Sequence, residues 1–185
     1  MTQPATKGDF LIASSAVVDP NFQQTVILVC DHDEEKGTYG LILNRPVSLP
    51  RELLAVIPFP APEILFRGGP VQPDTLQVLH PFGERIPGAA EVLDGLYIGG
   101  DFDAIAEGLA DETLESDFCR FFLGYSGWSP NQLANEFAEG SWLRVPGSAR
   151  SLRSTPPEDL WSEAVRRLGR QEPVMAHFPR EPAWN

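Results

Sequence analysis

The 185-residue chain is poor in basic residues, in cysteine and in long apolar runs, and each shortage removes a class of function. Lys and Arg total 14 against 26 Asp and Glu, a formal net charge of -12, so the field of the whole molecule repels nucleic-acid phosphates and anionic lipid. Direct nucleic-acid binding is not expected. No helix-turn-helix carries clustered Lys or Arg, and the one arginine-rich patch is Arg144, Arg150, Arg153, Arg166 and Arg167. The two cysteines, Cys30 and Cys119, lie in apolar runs without Cys-x-x-Cys spacing and read as small core residues of a reducing compartment, with no disulfide. No stretch reaches the ~18 consecutive apolar residues of a membrane span. The mildly apolar Phe10 to Val18 follows Asp9 and contains paired serines, unlike a secretory signal. A cytoplasmic protein without a membrane partner is expected. The three histidines, His32, His80 and His177, show no zinc-ligand spacing, and neither a metal nor a cofactor is expected.

What is present suits one folded unit. A hydrophobic content of 42% over this length predicts a single domain, set at residues 1–172, with residues 173–185 as a C-terminal tail. Thr25 to Cys30 (TVILVC) and Thr38 to Leu43 (TYGLIL) predict a hairpin around the charged stretch Asp31 to Gly37. Further strands are expected at Phe10 to Ala13, Ile64 to Phe66, Leu76 to His80, Tyr97 to Gly99, Phe118 to Leu123 and Trp142 to Val145. Helices are expected at Phe102 to Ala110 behind an Asp101 cap, at Pro130 to Glu139, and at Pro156 to Leu168. For the last, Thr155 and Glu158 form a capping box and Gly169 a stop. The 18 prolines and 16 glycines are dispersed among turns rather than gathered into a linker.

The segment Gly124 to Leu133 (GYSGWSPNQL) is the densest signal. Its glycines predict a sharp turn after an apolar strand, and Ser129, Pro130 and Gln132 predict the start of a helix. Strand, tight turn and helix in that order invite comparison with the Gly-x-Ser-x-Gly nucleophile elbow. Ser126 fails that comparison, because Trp128 stands where the last glycine must allow close backbone approach.

The run FQQTVILVCDHDEEKGTYGLILNRP from Phe22 to Pro46, GGPV at Gly68 to Val71, LH at Leu79 and His80, and FLGYSGWSPNQL at Phe122 to Leu133 together resemble the YqgE/AlgH family of bacterial proteins. The likeness covers nearly the whole chain. Departures are small: Ser126 where the family pattern has alanine, and Asn131 where it has glycine. The resemblance implies an α+β fold, a single domain with a curved, barrel-like antiparallel β-sheet surrounded by helices. It implies no reaction. The family carries the label of transcriptional regulator through a genetic association with alginate production.

Several residues are candidates for a ligand site, each with a purely structural reading beside it. Asp31 and Asp33 mimic the opening of an EF-hand loop, but Lys36 takes the glycine position and Ile42 the bidentate glutamate position, which favours a solvated hairpin loop. Pro46 pushes Arg45 towards an extended backbone, so Asn44 and Arg45 present either an anion clamp or a strand-end turn. Gly68 and Gly69 offer either backbone N–H groups to an anion or a tight turn, lacking the lysine of a P-loop. His80 shares a strand face with Leu76 and Val78, as a core histidine or as a base at a strand end. Trp128 is a plug for the corner or, with Gln132 at the helix start, a ligand wall.

Two functions fit these residues. One is a non-catalytic binding or adaptor protein, contacting a protein partner or a small metabolite through the surface where Asn44, Arg45, Gly68, Gly69, His80, Trp128 and Gln132 converge. The other is an enzyme, for instance a hydrolase, with a polar pocket around His80, Asn44 and Arg45. The first is preferred, since no nucleophile with an activating base is legible.

Overall fold

The run TVILVC is apolar without alternation because both faces of its strand are covered. In the computed structural model, which describes residues 5–48, 65–114 and 118–171, strands β1 (Asp9–Ala13), β2 (Val26–Asp33) and β3 (Gly37–Ile42) form the middle of a sheet packed on both sides. Successive side chains point to opposite faces. Phe10, Ile12, Val26, Leu28, Cys30 and Leu41 therefore enter one core, while Leu11, Ala13, Ile27, Val29 and Ile42 enter a second.

The remaining strands are β4 (Pro46–Val47), β5 (Leu65–Arg67), β6 (Val71–His80), β7 (Ala90–Leu93), β8 (Leu96–Ile98), β9 (Arg120–Trp128) and β10 (Trp142–Pro146). Their order is β10-β1-β2-β3-β9-β6-β8-β7, with β4 and β5 attached beside β9. All pairings are antiparallel except β5 with β9. The sheet curls into a half-barrel within a single α+β domain. Its far end comes round to its beginning. Val92 joins the core of Phe10, and a Cβ on Gly8 would lie 2.8 Å from the Val92 carbonyl oxygen.

Four α-helices complete the described fold: α1 (Phe102–Ala110), α2 (Gln132–Ala138), α3 (Ala149–Ser154) and α4 (Leu160–Gln171). The first matches its expected bounds, and the Asp101 carboxylate accepts the Ala104 N–H at 3.1 Å. α4 covers the first core with Leu160, Ala164 and Leu168, and its Trp161 indole donates to the Ala13 carbonyl at 3.0 Å. α2 covers the second core with Leu133. A third core, with Ile105 of α1, Phe121 and Val78, lies at the β6 end of the sheet.

Four expectations are corrected. The segment Gly124 to Trp128 does not turn: β9 runs through it, and the chain reverses only at Ser129 to Gln132, where the Ser129 carbonyl accepts the Gln132 N–H at 3.0 Å and Asn131 takes φ 64°. Helix α2 accordingly starts at Gln132, not Pro130. Thr155 ends α3 instead of capping the next helix; Pro156 is extended, and a 3-10 turn at Pro157–Asp159 leads into α4. Gly169 does not stop α4, since glycine permits a left-handed stop without compelling one. Strands β4 and β7 and helix α3 had no distinct sequence signal. Ile64 and the tail at 173–185 lie outside the described residues.

Candidate functional site

The conspicuous polar side chains are engaged by backbone. Asn44 is buried, its Oδ1 accepting the Val26 N–H at 2.9 Å and its Nδ2 donating to the Gln24 carbonyl at 2.8 Å. That pair holds the start of β2 against the end of β3. Arg45 is half-buried and donates to the carbonyls of Gln23 and Asn44. Both residues thus tie the end of β3 to the segment Gln23 to Val26.

Gly68 and Gly69 bridge the gap on β9 between β5 and β3. The Gly68 N–H donates to the Leu123 carbonyl at 2.8 Å, and the Gly68 carbonyl accepts the Ile42 N–H at 2.9 Å and the Ser126 hydroxyl at 3.1 Å. A Cβ on Gly68 would sit 2.3 Å from the Gly124 carbonyl oxygen, so the two chains touch backbone to backbone. The Gly68 N–H is thus spent on the sheet, not offered to an anion. Ser126 is fully buried by the same junction.

His80 is also fully buried. Its Nδ1 accepts the Phe82 N–H at 3.2 Å, which leaves the proton on Nε2 to donate to the Gly99 carbonyl at 2.9 Å. Phe82 and Tyr97 stack nearly parallel to the ring, with centroids at 5.3 and 6.3 Å. Burial lowers the His80 pKa below its ordinary value. Among the described residues His80 shares no hydrogen bond with Asn44 or Arg45. Leu79 pairs with Arg120, at the opposite end of β9 from Trp128, so roughly 25 Å of strand at ~3.3 Å per residue separates His80 from Trp128.

At that other end the residues do converge. Trp128 and Trp142 meet edge to face at 5.9 Å, and both indoles donate to Oε2 of Glu136, at 2.8 and 2.6 Å. Gln132 donates to Glu136 Oε1 at 2.9 Å and accepts from the Ser129 N–H and hydroxyl at 3.0 Å. The one-turn spacing of Gln132 and Glu136 on α2 makes this relay possible. Replacing Glu136 with alanine strips the acceptor from two indoles. A loss of about 1–2 kcal/mol is expected, with a red-shifted tryptophan emission. Unchanged emission and melting temperature would show that the carboxylate does not hold the pair.

Three adjoining grooves surround this cluster. One of about 460 Å³ lies between Val17, Val18, Phe22 and α2, reaching Gln132, Glu136 and Glu139. The second, about 420 Å³, is lined by Asp31, Asp33, Lys36, Tyr39, Val71 and Tyr125. Trp128 and Gly127 border both. A third, about 250 Å³, lies between the β2–β3 loop and α2. In that loop Asp33 Oδ1 accepts the N–H groups of Glu35 and Lys36, an ordinary loop closure, and His32 Nδ1 lies 2.7 Å from the Thr38 hydroxyl.

This arrangement of sheet, corner and grooves has counterparts. The sequence profile of the AlgH-like family matches residues 10–172. The chain belongs to that family. A UPF0301 protein of Chlorobaculum tepidum is 41% identical over 179 residues, spanning 96% of this chain and 95% of its own. One from Bacteroides thetaiotaomicron is 34% identical over 181 residues, spanning 97% and 91%. The solution structure of the AlgH protein from Pseudomonas aeruginosa superposes with a TM-score of 0.71 at 33% identity, covering 98% of this chain and all (100%) of the other. A crystal structure of a Corynebacterium diphtheriae protein gives 0.72 at 25% identity, over 90% and 88%.

In this AlgH-like chain the sequence pointed to Trp128 and Gln132 but missed Glu136, Tyr39 and Tyr125 beside them, and Trp142, which is buried with Trp128 in the second core. Only the Gln132–Glu136 spacing was visible in one dimension. The arginine patch is largely structural: Arg144 pairs with Asp9 at 3.1 Å, Arg167 donates to the Pro146 carbonyl at 2.6 Å, and Arg153 lies 5.0 Å over the Phe118 ring. Both described cysteines are free. Burial raises the Cys30 thiol pKa strongly and pushes that of Cys119 up to about 12, so neither is a nucleophile at neutral pH. No described helix is long and apolar enough to cross a membrane.

Proposed function

We propose that the chain is a non-catalytic cytoplasmic binding protein, an adaptor that seats a protein partner on the grooves around Trp128 and acts on gene expression through that partner. One observation carries this reading. The polar candidates His80, Asn44 and Ser126 are buried and spend their polar atoms on backbone, while the grooves at the other end of β9 present tyrosine rings and carboxylates, and the Thr38 hydroxyl that His32 meets there is itself buried. The formal charge of -12 supports a route other than direct DNA contact. A hydrolase around His80, Asn44 and Arg45 has no observation in its favour, since a general base needs a free hydrogen-bonding atom facing substrate.

Among the described residues Val18 is the large apolar side chain left most exposed, at 79%, and it lines a groove. A photo-crosslinking residue at Val18 is expected to capture a discrete protein in living cells, and the same residue at exposed Arg150 on α3 is not. Equal capture from both positions would defeat the proposal, as would hydrolytic turnover by the purified chain that His80→Leu removes.

A further inference from the structure

Gly127 has room for a Cβ and needs no left-handed backbone. The other glycines nearby are needed: a Cβ on Gly37 would lie 2.1 Å from the Trp128 carbonyl oxygen, one on Gly40 2.8 Å from that of Leu28, and Gly124 has φ 65°. At Gly127 the backbone is ordinary, the residue is exposed, and a Cβ would meet Tyr125 Cε2 at 3.4 Å and Val71 Cγ2 at 3.7 Å, which is normal contact. Its bareness leaves a saddle joining the two larger grooves, both of which it borders. Glycine inside a strand marks a place where another chain or a ligand comes close.

Among the described residues the strand edge there also lacks a second ladder partner. β9 has ladder partners on both sides up to Tyr125, which pairs with Val71, but over 126–128 its described partner is β3 alone. An extended segment fits such an edge. The charge of the surroundings fixes its chemistry. Asp31 and Asp33 flank the saddle on one side, and Asp19, Glu136 and Glu139 lie in the groove on the other, against one lysine, Lys36, among the described lining residues. Lys36 is 85% exposed and 3.9 Å from Asp33, too loose a pair to neutralise the site. Tyr39 and Tyr125 meet at 5.1 Å and 64°, and the Tyr39 hydroxyl is anchored on Gln77 at 2.9 Å, which fixes the ring. Burial raises the Tyr39 pKa, so the phenol stays neutral.

We infer that an extended, lysine- or arginine-bearing segment of the protein partner lies across Gly127, with a cationic side chain between the Tyr39–Tyr125 pair and the Asp31 and Asp33 carboxylates. This rests on the adaptor reading above and names the chemistry of its partner.

The test uses the full chain and an array of octapeptides alternating valine with lysine or arginine, read by fluorescence anisotropy. Binding is expected for the basic peptides and should weaken as salt rises. Gly127→Val should weaken it at least about tenfold while the melting temperature holds. Lys36→Glu, on an exposed side chain, should strengthen it about threefold. The inference fails if no basic peptide binds, if citrulline-for-arginine peptides bind as tightly, if free arginine amide binds as tightly as the octapeptides, or if both variants bind like the parent chain. Capture of a partner at Val18 without binding of any basic peptide would sink this inference and leave the adaptor reading standing. Loss of both would sink the two together.

Discussion

Alanine at Gly69 is expected to cost more than about 3 kcal/mol and to leave little folded protein at physiological temperature. The added Cβ would stand 2.2 Å from both the carbonyl carbon and oxygen of Tyr125 and 2.4 Å from the Ser126 nitrogen. These are backbone atoms, so no rotamer change relieves the overlap. Nor can β9 step aside, since at this level it is bonded to β3 through Ser126 and to β6 through Tyr125. Relief requires breaking one ladder or pulling the Gly68 carbonyl away from Ile42 and Ser126. Gly140→Ala is the matching control. It shares the strain of a positive φ, 76°, but has nothing within 4 Å of the new methyl, and should cost about 1 kcal/mol. Urea denaturation of the two variants gives the comparison. If Gly69→Ala falls within about 1 kcal/mol of the parent, the close crossing of the two glycine-rich segments is wrong.

Replacing His80 with leucine is expected to cost about 2–4 kcal/mol, because the Phe82 N–H and the Gly99 carbonyl both lose their partner in or beside the core. The cost should depend on pH. Burial lowers the pKa of His80 in the folded chain, so the unfolded chain takes up the proton more readily. The stability due to the neutral ring is complete above the unfolded value of about 6.5 and declines as pH falls from there towards the lower folded pKa, by at most ~1.4 kcal/mol per pH unit. The gap between parent and His80→Leu should therefore narrow on acidification. Taking the difference between the two chains removes the contributions of His32 and His177. A gap that stays constant from about pH 8 to about pH 5 would show that His80 is not held neutral.

Both expectations concern residues whose type was conspicuous in the sequence and whose task was not. Gly124 to Trp128 illustrates the difficulty. Two glycines around an aromatic read as a turn, because bending is what glycine most often permits. Here Gly124 instead allows the Gly69 and Val71 carbonyls to approach, a Cβ on it falling 2.6 and 2.8 Å from their oxygens. Strand pairing continues past the left-handed Gly124, and the chain reversal moves to Pro130 and Asn131. His80 shows the complementary case. Period-two spacing with Val78 placed it on an inward face, but the carbonyl that fixes its tautomer belongs to Gly99, nineteen residues on.

Local chemistry was enough for much of the architecture. The apolar runs gave the β2–β3 hairpin, Asp101 gave the start of α1, and the motifs at Phe22 to Pro46 and Phe122 to Leu133 gave the family, each being a pattern of neighbours along the chain. The surface around Trp128 is of another kind. It depends on Tyr39 meeting Tyr125, on Trp128 and Trp142 sharing Glu136, and on Ser126 reaching Gly68 across 58 positions. Hydrophobic period and capping determine elements because they act within a few residues. Which backbone presses on a glycine, which carboxylate an indole finds and where a groove stays open are settled only when the sheet curls and distant strands pair.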